Sequence, residues 1–253
     1  MLPNKEKVIA LLKSIENGAP EPVGYINPDK YIQHNLAVAD GIEGFAEVLK
    51  QLPAGSAKAN VLRAFQDGDY VFTHTAYDFF GPKVGFDIFR FENGQIVEHW
   101  DNLQELATGS VSGRSQIDGP IEVEDPDKTA ENKTLVDGFV QEILMGGNPG
   151  KITDYISPEK YYQHNPAVAD GLDGLGKALQ KMAETGMPMR YTKNHMLLGQ
   201  GNFVLTASEG QFLGKHVAFY DLFRIEDRKI VEHWDTIEQI PLKENWKNNN
   251  GKF

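Results

Sequence analysis

Asp87 and Asp221 stand at the head of two nearly identical stretches, DIFRFENGQIVEHWD (87–101) and DLFRIEDRKIVEHWD (221–235). A carboxylate among aromatic side chains is a general base in waiting, because an apolar wall disfavours its charge and raises its proton affinity. Its simplest chemistry is removal of a proton from carbon next to a carbonyl. His34 and His164, in QHN blocks upstream, are the partners expected to face it as second acid/base or oxyanion donor. The competing reading is a histidine that closes a helix end by bonding a free carbonyl. Asn35 and Asn165 either donate an amide to a substrate oxygen or shape the turn.

The spacing around these residues sets the elements that must carry them. Phe86 to Phe91, Asn93-Gly94 and Gln95 to Asp101 read as a β-hairpin, since Asn-Gly suits a two-residue turn with positive φ. Copy two has Asp227-Arg228 there. A strict two-residue loop sets Asp87 opposite Trp100. Asp87, Phe89, Phe91, Ile96, Glu98 and Trp100 then share one face, with Phe86, Ile88, Arg90, Val97, His99 and Asp101 on the other. A slip of one residue exchanges the faces. On this register Glu98, Glu232, Trp100 and Trp234 line the pocket as reserve carboxylates and walls, together with His74. His99, Asp101, His233 and Asp235 fall at a sheet–sheet interface. His-x-Asp spacing also permits a metal pair, but no third ligand is evident, so no metal is expected.

Helices precede the strands. Val8, Leu11, Leu12 and Ile15 form one helical face, and Val136, Phe139, Val140 and Ile143 repeat it. Gly18 and Gly146 mark the ends. Asp40 with Glu43, and Asp170 with Asp173, have capping-box spacing before a further helix. Tyr70 to Tyr77 is rich in strand-forming residues.

The two copies define the organisation. YINPDKYIQHNLAVAD (25–40) returns as YISPEKYYQHNPAVAD (155–170), in the same order relative to the hairpin. A period this long is a whole domain. The expected division is domain 1 at 1–110, a Gly-, Pro- and acid-rich linker or crossing arm at 111–127, domain 2 at 128–242 and a tail at 243–253. Each copy is expected to be α+β, three helices on a curved antiparallel sheet forming a cone-shaped barrel. The copies are not identical: Leu36 stands against Pro166, His74 against Ala207 or Ser208, and Lys83 near His216.

Composition narrows the class. The 253 residues contain no cysteine, which excludes disulfides and thiolate chemistry. The formal charge of −11 opposes nucleic acid and anionic membrane as partners. Without an apolar leader in the first residues, a cytoplasmic location is expected. No phosphate-binding glycine loop, dinucleotide fingerprint or serine nucleophile elbow is present.

The QHN-x-x-x-x-D-G block and the DIFR…IVEHWD hairpin, in this order of helices and strands, resemble the SnoaL-like polyketide cyclase family. Its fold group is shared with nuclear transport factor two and ketosteroid isomerase, and the nearest subgroup comprises predicted aldol-condensation enzymes. The resemblance covers most of both copies. It implies that Asp87 and Asp221, at the position of the proposed acid/base, act without cofactor on a small apolar carbonyl compound, by aldol-type cyclisation or isomerisation. It implies that His34 and His164 match the pocket histidine. It also implies an intramolecular pseudo-dimer, with further homo-oligomers as an option. The alternative is a non-catalytic small-molecule binder, or a scaffold that pairs through its sheets.

Overall fold

The computed structural model describes residues 2–52, 55–186 and 189–253. The chain forms two compact units: residues 1–106 with 240–253, and residues 107–239. The 107–127 segment therefore belongs to the second unit, and the tail to the first.

Unit 1 opens with helix α1 (Asn4–Asn17), whose Val8, Leu11 and Leu12 are buried. It ends where Gly18 adopts the left-handed conformation and returns its N–H to Ser14. A single tight helical turn (Glu21–Tyr25), β1 (Ile32–Gln33) and helix α2 (Gly41–Gln51) follow. Four antiparallel strands complete the unit: β2 (Lys58–Asp67), β3 (Tyr70–Asp78), β4 (Pro82–Glu92) and β5 (Gln95–Glu105). Sheet order is β1-β5-β4-β3-β2, with β1 parallel to β5. The apolar side of α1 packs against Val71, Phe89, Phe91 and Ile96, so helix and sheet share one core.

Unit 2 repeats the plan. Helix α3 (Thr129–Phe139) widens into a five-residue π turn (Val140–Leu144), then come α4 (Ile152–Tyr155), β6 (Tyr162–Gln163) and α5 (Gly171–Glu184). Strands β7 (Arg190–Gln200), β8 (Phe203–Phe212), β9 (Lys215–Glu226) and β10 (Lys229–Gln239) form the sheet, in the order β6-β10-β9-β8-β7. Val136, Phe139 and Val140 meet Val204, Phe223 and Ile225 in its core. Among the described residues no helix is long and apolar enough to cross a membrane.

Two local readings are corrected. Asp40 and Asp170 precede α2 and α5 but make no side-chain cap. Each carboxylate instead accepts the backbone N–H of Gln33 or Gln163 at 2.9 Å, tying the QHN segment to the helix start. The second correction concerns the hairpin. Asn93 and Gly94 do form the tight turn, with φ of 49° and 77°, and Asp227 and Arg228 take the same conformation at 49° and 61°. Past the turn, however, Phe91 pairs with Ile96 and Arg90 with Glu98, so Val97 is a bulge. Val231 interrupts the second hairpin in the same way. The extra residue shifts the register by one. Asp87 therefore lies opposite Asp101, and Asp221 opposite Asp235, while Trp100 faces Ile88. Beyond the bulge the two predicted faces of β5 and β10 are exchanged.

Candidate active sites

The bulge decides which groups meet. In unit 1 Asp87, His99 and Asp101 line one cavity of about 150 Å³, together with Tyr31, Gln33, Asn35 and Tyr77. In unit 2 Asp221, His233 and Asp235 line a cavity of about 470 Å³ with Tyr161, Gln163, Asn165 and Tyr191. The remaining walls are mostly aliphatic and aromatic, from the first and last helices of each unit and the sheet.

Hydrogen bonds fix the proton inventory. The Gln33 side-chain oxygen accepts the backbone N–H of Asn35 at 2.8 Å and lies 3.1 Å from His99 Nδ1. An oxygen that accepts from the backbone accepts from the ring as well, so Nδ1 carries hydrogen. Nε2 is left 3.3 Å from Asp87 Oδ1. Gln163 orients His233 identically, at 2.9 Å, and His233 Nε2 lies 3.0 Å from Asp221 Oδ1. Each Asp–His contact thus shares one proton, the arrangement of an acid–base pair. Burial opposes the charge on His233, but the hydrogen bond to Asp221 and the charges of Asp235 and Asp221 outweigh it and raise its pKa.

Tyrosines complete the bases. Tyr77 donates its hydroxyl to Asp87 at 2.6 Å, with Thr73 at 3.3 Å. Tyr191 donates to both oxygens of Asp221, at 3.1 and 3.2 Å. Burial first, and the adjacent carboxylates next, push both phenols well above their ordinary pKa, so they remain donors. The two tyrosines are not equivalent in sequence. Tyr77 lies on β3 opposite Ala59, whereas Tyr191 lies on β7 opposite Gly210.

The third group is the second aspartate. Asn35 Nδ2 donates to Asp101 at 2.6 Å, and Asn165 Nδ2 to Asp235 at 2.7 Å. The Asn35 and Asn165 oxygens accept the N–H of Ala37 and Ala167, so each asparagine shapes its turn and also holds the aspartate. Burial raises the Asp235 pKa, with Asp221 adding to it against the pull of His233 and Asn165. Two carboxylates and an imidazole with ligand atoms within 4.8 Å of one another are also a donor set for a divalent cation, which supplies the third ligand missing from the sequence reading.

His34 and His164 lie outside these cavities. His34 Nε2 meets Glu98 at 3.0 Å, Nδ1 meets the Gly251 carbonyl at 2.9 Å, and the ring stacks on Trp100. His164 bonds Glu232 and the Ser115 carbonyl and stacks on Trp234. Arg90 and Arg224 clamp the same glutamates at 2.6 and 2.7 Å. Glu98, Glu232, Trp100 and Trp234 therefore sit on the face of β5 and β10 opposite His99 and His233. His74 bonds Arg63 and stacks on Phe86, also outside the cavity. Of the residues expected at the site, the structure gathers Asp87, Asp221, Asn35 and Asn165. His99, Asp101, Gln33, Tyr77 and their counterparts join them. His-x-Asp and Gln-x-Asn, kept in both copies, were the available signals; neither tyrosine had one, because they do not align.

No family model matches the sequence. No curated protein matches it. Among solved structures, the chain is similar to a protein of unknown function with cystatin-like fold from Xanthomonas campestris (24% identity, 46% of this chain and 97% of that one, TM-score 0.37). It is also similar to a SnoaL-like polyketide cyclase from Agrobacterium tumefaciens (14%, 41% and 93%, TM-score 0.35). A third is an NTF2-like protein of unknown function from Cytophaga hutchinsonii (12%, 41% and 92%, TM-score 0.36).

Proposed function

We propose that the cavities are acid–base sites for proton transfer next to a carbonyl, on a small apolar compound, leading to aldol-type cyclisation or isomerisation. The observation that carries this reading is the Asp–His pair with its proton inventory fixed by glutamine, inside an apolar cavity. With the shared proton on Nε2, the aspartate is a carboxylate and takes the α-proton. The resulting enolate attacks a second carbonyl of the same molecule and the alkoxide formed takes the proton back from the aspartic acid, or the enolate regains that proton at another carbon; either way the carboxylate is restored. Arginine could have neutralised this base, but Arg90 and Arg224 pair with Glu98 and Glu232 on the other face.

The test is hydrogen–deuterium exchange at the α-carbons of small apolar ketones in heavy water, followed by proton NMR. The wild type should exchange at least one ketone. The Asp87→Asn, Asp221→Asn double variant should slow it about 10²–10⁴-fold, the range for general acid–base catalysis. Exchange indifferent to both substitutions overturns the assignment. A ketone that raises the melting temperature yet keeps its protons identifies a binding protein instead.

A further inference from the structure

Each Asp–His–Asp set has its outer atoms held by neighbours and acceptor atoms left over. In unit 2 the Gln163 oxygen accepts the backbone N–H of Asn165 at 3.0 Å and lies 2.9 Å from His233 Nδ1. A neutral ring in the tautomer this selects presents a lone pair at Nε2. Asn165 donates to Asp235 Oδ2 at 2.7 Å. Asp235 Oδ1 has no hydrogen-bond partner, although Asp235 is only 8% exposed and lines the cavity. Unit 1 repeats the arrangement. Gln33 holds His99, Asn35 holds Asp101 Oδ2, and Asp101 Oδ1 is likewise buried without a hydrogen-bond partner.

Hydrogen bonds to the far ring nitrogen and the far carboxylate oxygen are the outer shell that orients metal ligands. Two ligands each about 2.1 Å from one ion, at right or tetrahedral angles, lie roughly 3.0–3.4 Å apart. Nε2 and the first aspartate's Oδ1 are 3.0 Å apart in unit 2 and 3.3 Å apart in unit 1. One ligand atom from each of the three residues falls within 4.8 Å of the others. A buried carboxylate oxygen with no donor is costly, and a cation in front of it removes that cost. Two carboxylates with one imidazole suit Zn²⁺ better than the all-oxygen preference of Mg²⁺. The units differ in one charge. In unit 1 the Lys252 ammonium lies 3.7 Å from Asp101 Oδ1, where it repels a divalent cation. Lys181 lines the second cavity but is exposed, so solvent screens it.

We propose that Asp221, His233 and Asp235 form a three-ligand site for a divalent transition-metal ion of the zinc class, and that Asp87, His99 and Asp101 take the same ion more weakly because Lys252 stands beside them. The site itself needs no carbonyl chemistry. One consequence does rest on the acid–base reading. An ion on Asp221 and His233 displaces their shared proton to solvent and makes the base a ligand, so the metal-bound second cavity takes no α-proton.

The test is isothermal titration of the full chain, freed of metal by a chelator, with Zn²⁺ as the probe. The wild type should bind one ion tightly and a second more weakly, and Mg²⁺ at the same concentration should give neither signal. Asp235→Asn should weaken the tight site at least about 100-fold, more than loss of an outer-shell partner. His233→Gln should do the same, and serves alone if Asp235→Asn does not fold. Lys252→Met should tighten the weaker site at least about tenfold, and Asp101→Asn should abolish it. On the surface of unit 2, His195 and His216 both bond Glu209 and offer zinc another seat. Absence of a tight site, tight binding unchanged in both Asp235→Asn and His233→Gln, or tight binding lost in His216→Ala overturns the proposal. Ketone exchange separates the two readings. In an Asp87→Asn background, saturating Zn²⁺ should suppress exchange about tenfold or more, and chelator should restore it. Zinc bound at Asp235 with no exchange from the metal-free protein would sink the carbonyl chemistry and leave the metal site standing. Exchange from a protein that binds no zinc would sink the metal site alone.

Discussion

The two cavities hold the same polar set but assemble it differently. Asp, His, Asp, Gln, Asn and the first tyrosine come from matching positions, whereas the phenol on the base comes from β3 in unit 1 and β7 in unit 2. In unit 1 Tyr77 lies between Ala59 and Lys83, with Gly85 diagonally beside its ring; in unit 2 Gly210 takes the place of Tyr77, between Tyr191 and Val217, with Phe219 diagonally beside it. Tyr191 stacks on Phe219 with ring centres 4.2 Å apart, which the glycine between them permits. The cavities also differ about threefold in volume. On the far side of the sheet the glutamate network is almost sealed in unit 2, where the Arg224 and Glu232 side chains are 8% and 2% exposed, against 20% and 14% for Arg90 and Glu98. After duplication the contact on the base persisted, while the residue that makes it, the room around it and the dryness of its support diverged.

That contrast can be broken most directly at the bases. If unit 2 carries the activity, Asp221→Asn alone should cut ketone exchange about 10²–10⁴-fold. Asp87→Asn should then leave most of it, and equal losses would show two working sites. Next come the supports. Arg224→Ala leaves the buried Glu232 with His164 as its remaining side-chain partner and should cost about 3 kcal/mol of stability in chemical denaturation. Arg90→Ala, at a wetter pair, should cost less. Smaller again are the glycines under the displaced tyrosines. A methyl at Gly210 would overlap the Arg190 carbonyl oxygen, a backbone atom, so Gly210→Ala should cost about 1–3 kcal/mol. At Gly85 the overlap is with the end of the Leu103 side chain, which can turn aside, and the cost should be smaller.

The subtlest difference is in pH dependence. Burial raises the Glu232 pKa, but hydrogen bonds from His164 and Arg224 more than offset it, leaving it below its ordinary value of 4.5. A lowered carboxyl pKa means stability that is complete above the unfolded value and lost as pH falls through the folded one. Acidification below about 4.5 should therefore weaken unit 2, and Arg224→Met should flatten that dependence. Denaturation midpoints across the acid range read the slope; identical slopes in wild type and variant would exclude the network as its source.

Much of this was legible in the residues. The α1 and α3 stripes, the hairpin turns and the duplication follow from short-range rules, and β3 was visible in its β-branched and aromatic run. Strands β2 and β7 were not, because their apolar residues do not alternate cleanly and their pairing is with distant sequence. At the site, Asp87 and Asp221 were found because a carboxylate among aromatics is conspicuous wherever it falls. A register that lacks the Val97 bulge puts His99 on the wrong face, and His34 stands in the QHN block that carries the resemblance. One inserted residue moved His99 and Asp101 from the expected interface to the cavity, and Glu98 and Trp100 out of it.

By itself the sequence determined that there are two α+β copies, that each has a buried carboxylate on a long hairpin, and that cysteine chemistry is absent. These are statements of composition and local periodicity, which a chain carries before it folds. Only the tertiary structure decided which histidine meets that carboxylate, which strand supplies its phenol, and that the Gly251 carbonyl of the tail and the Ser115 carbonyl of the linker accept from the two QHN histidines. Each depends on register or on contacts between residues far apart in the chain, where a shift of one position reverses a face and no local pattern records the choice.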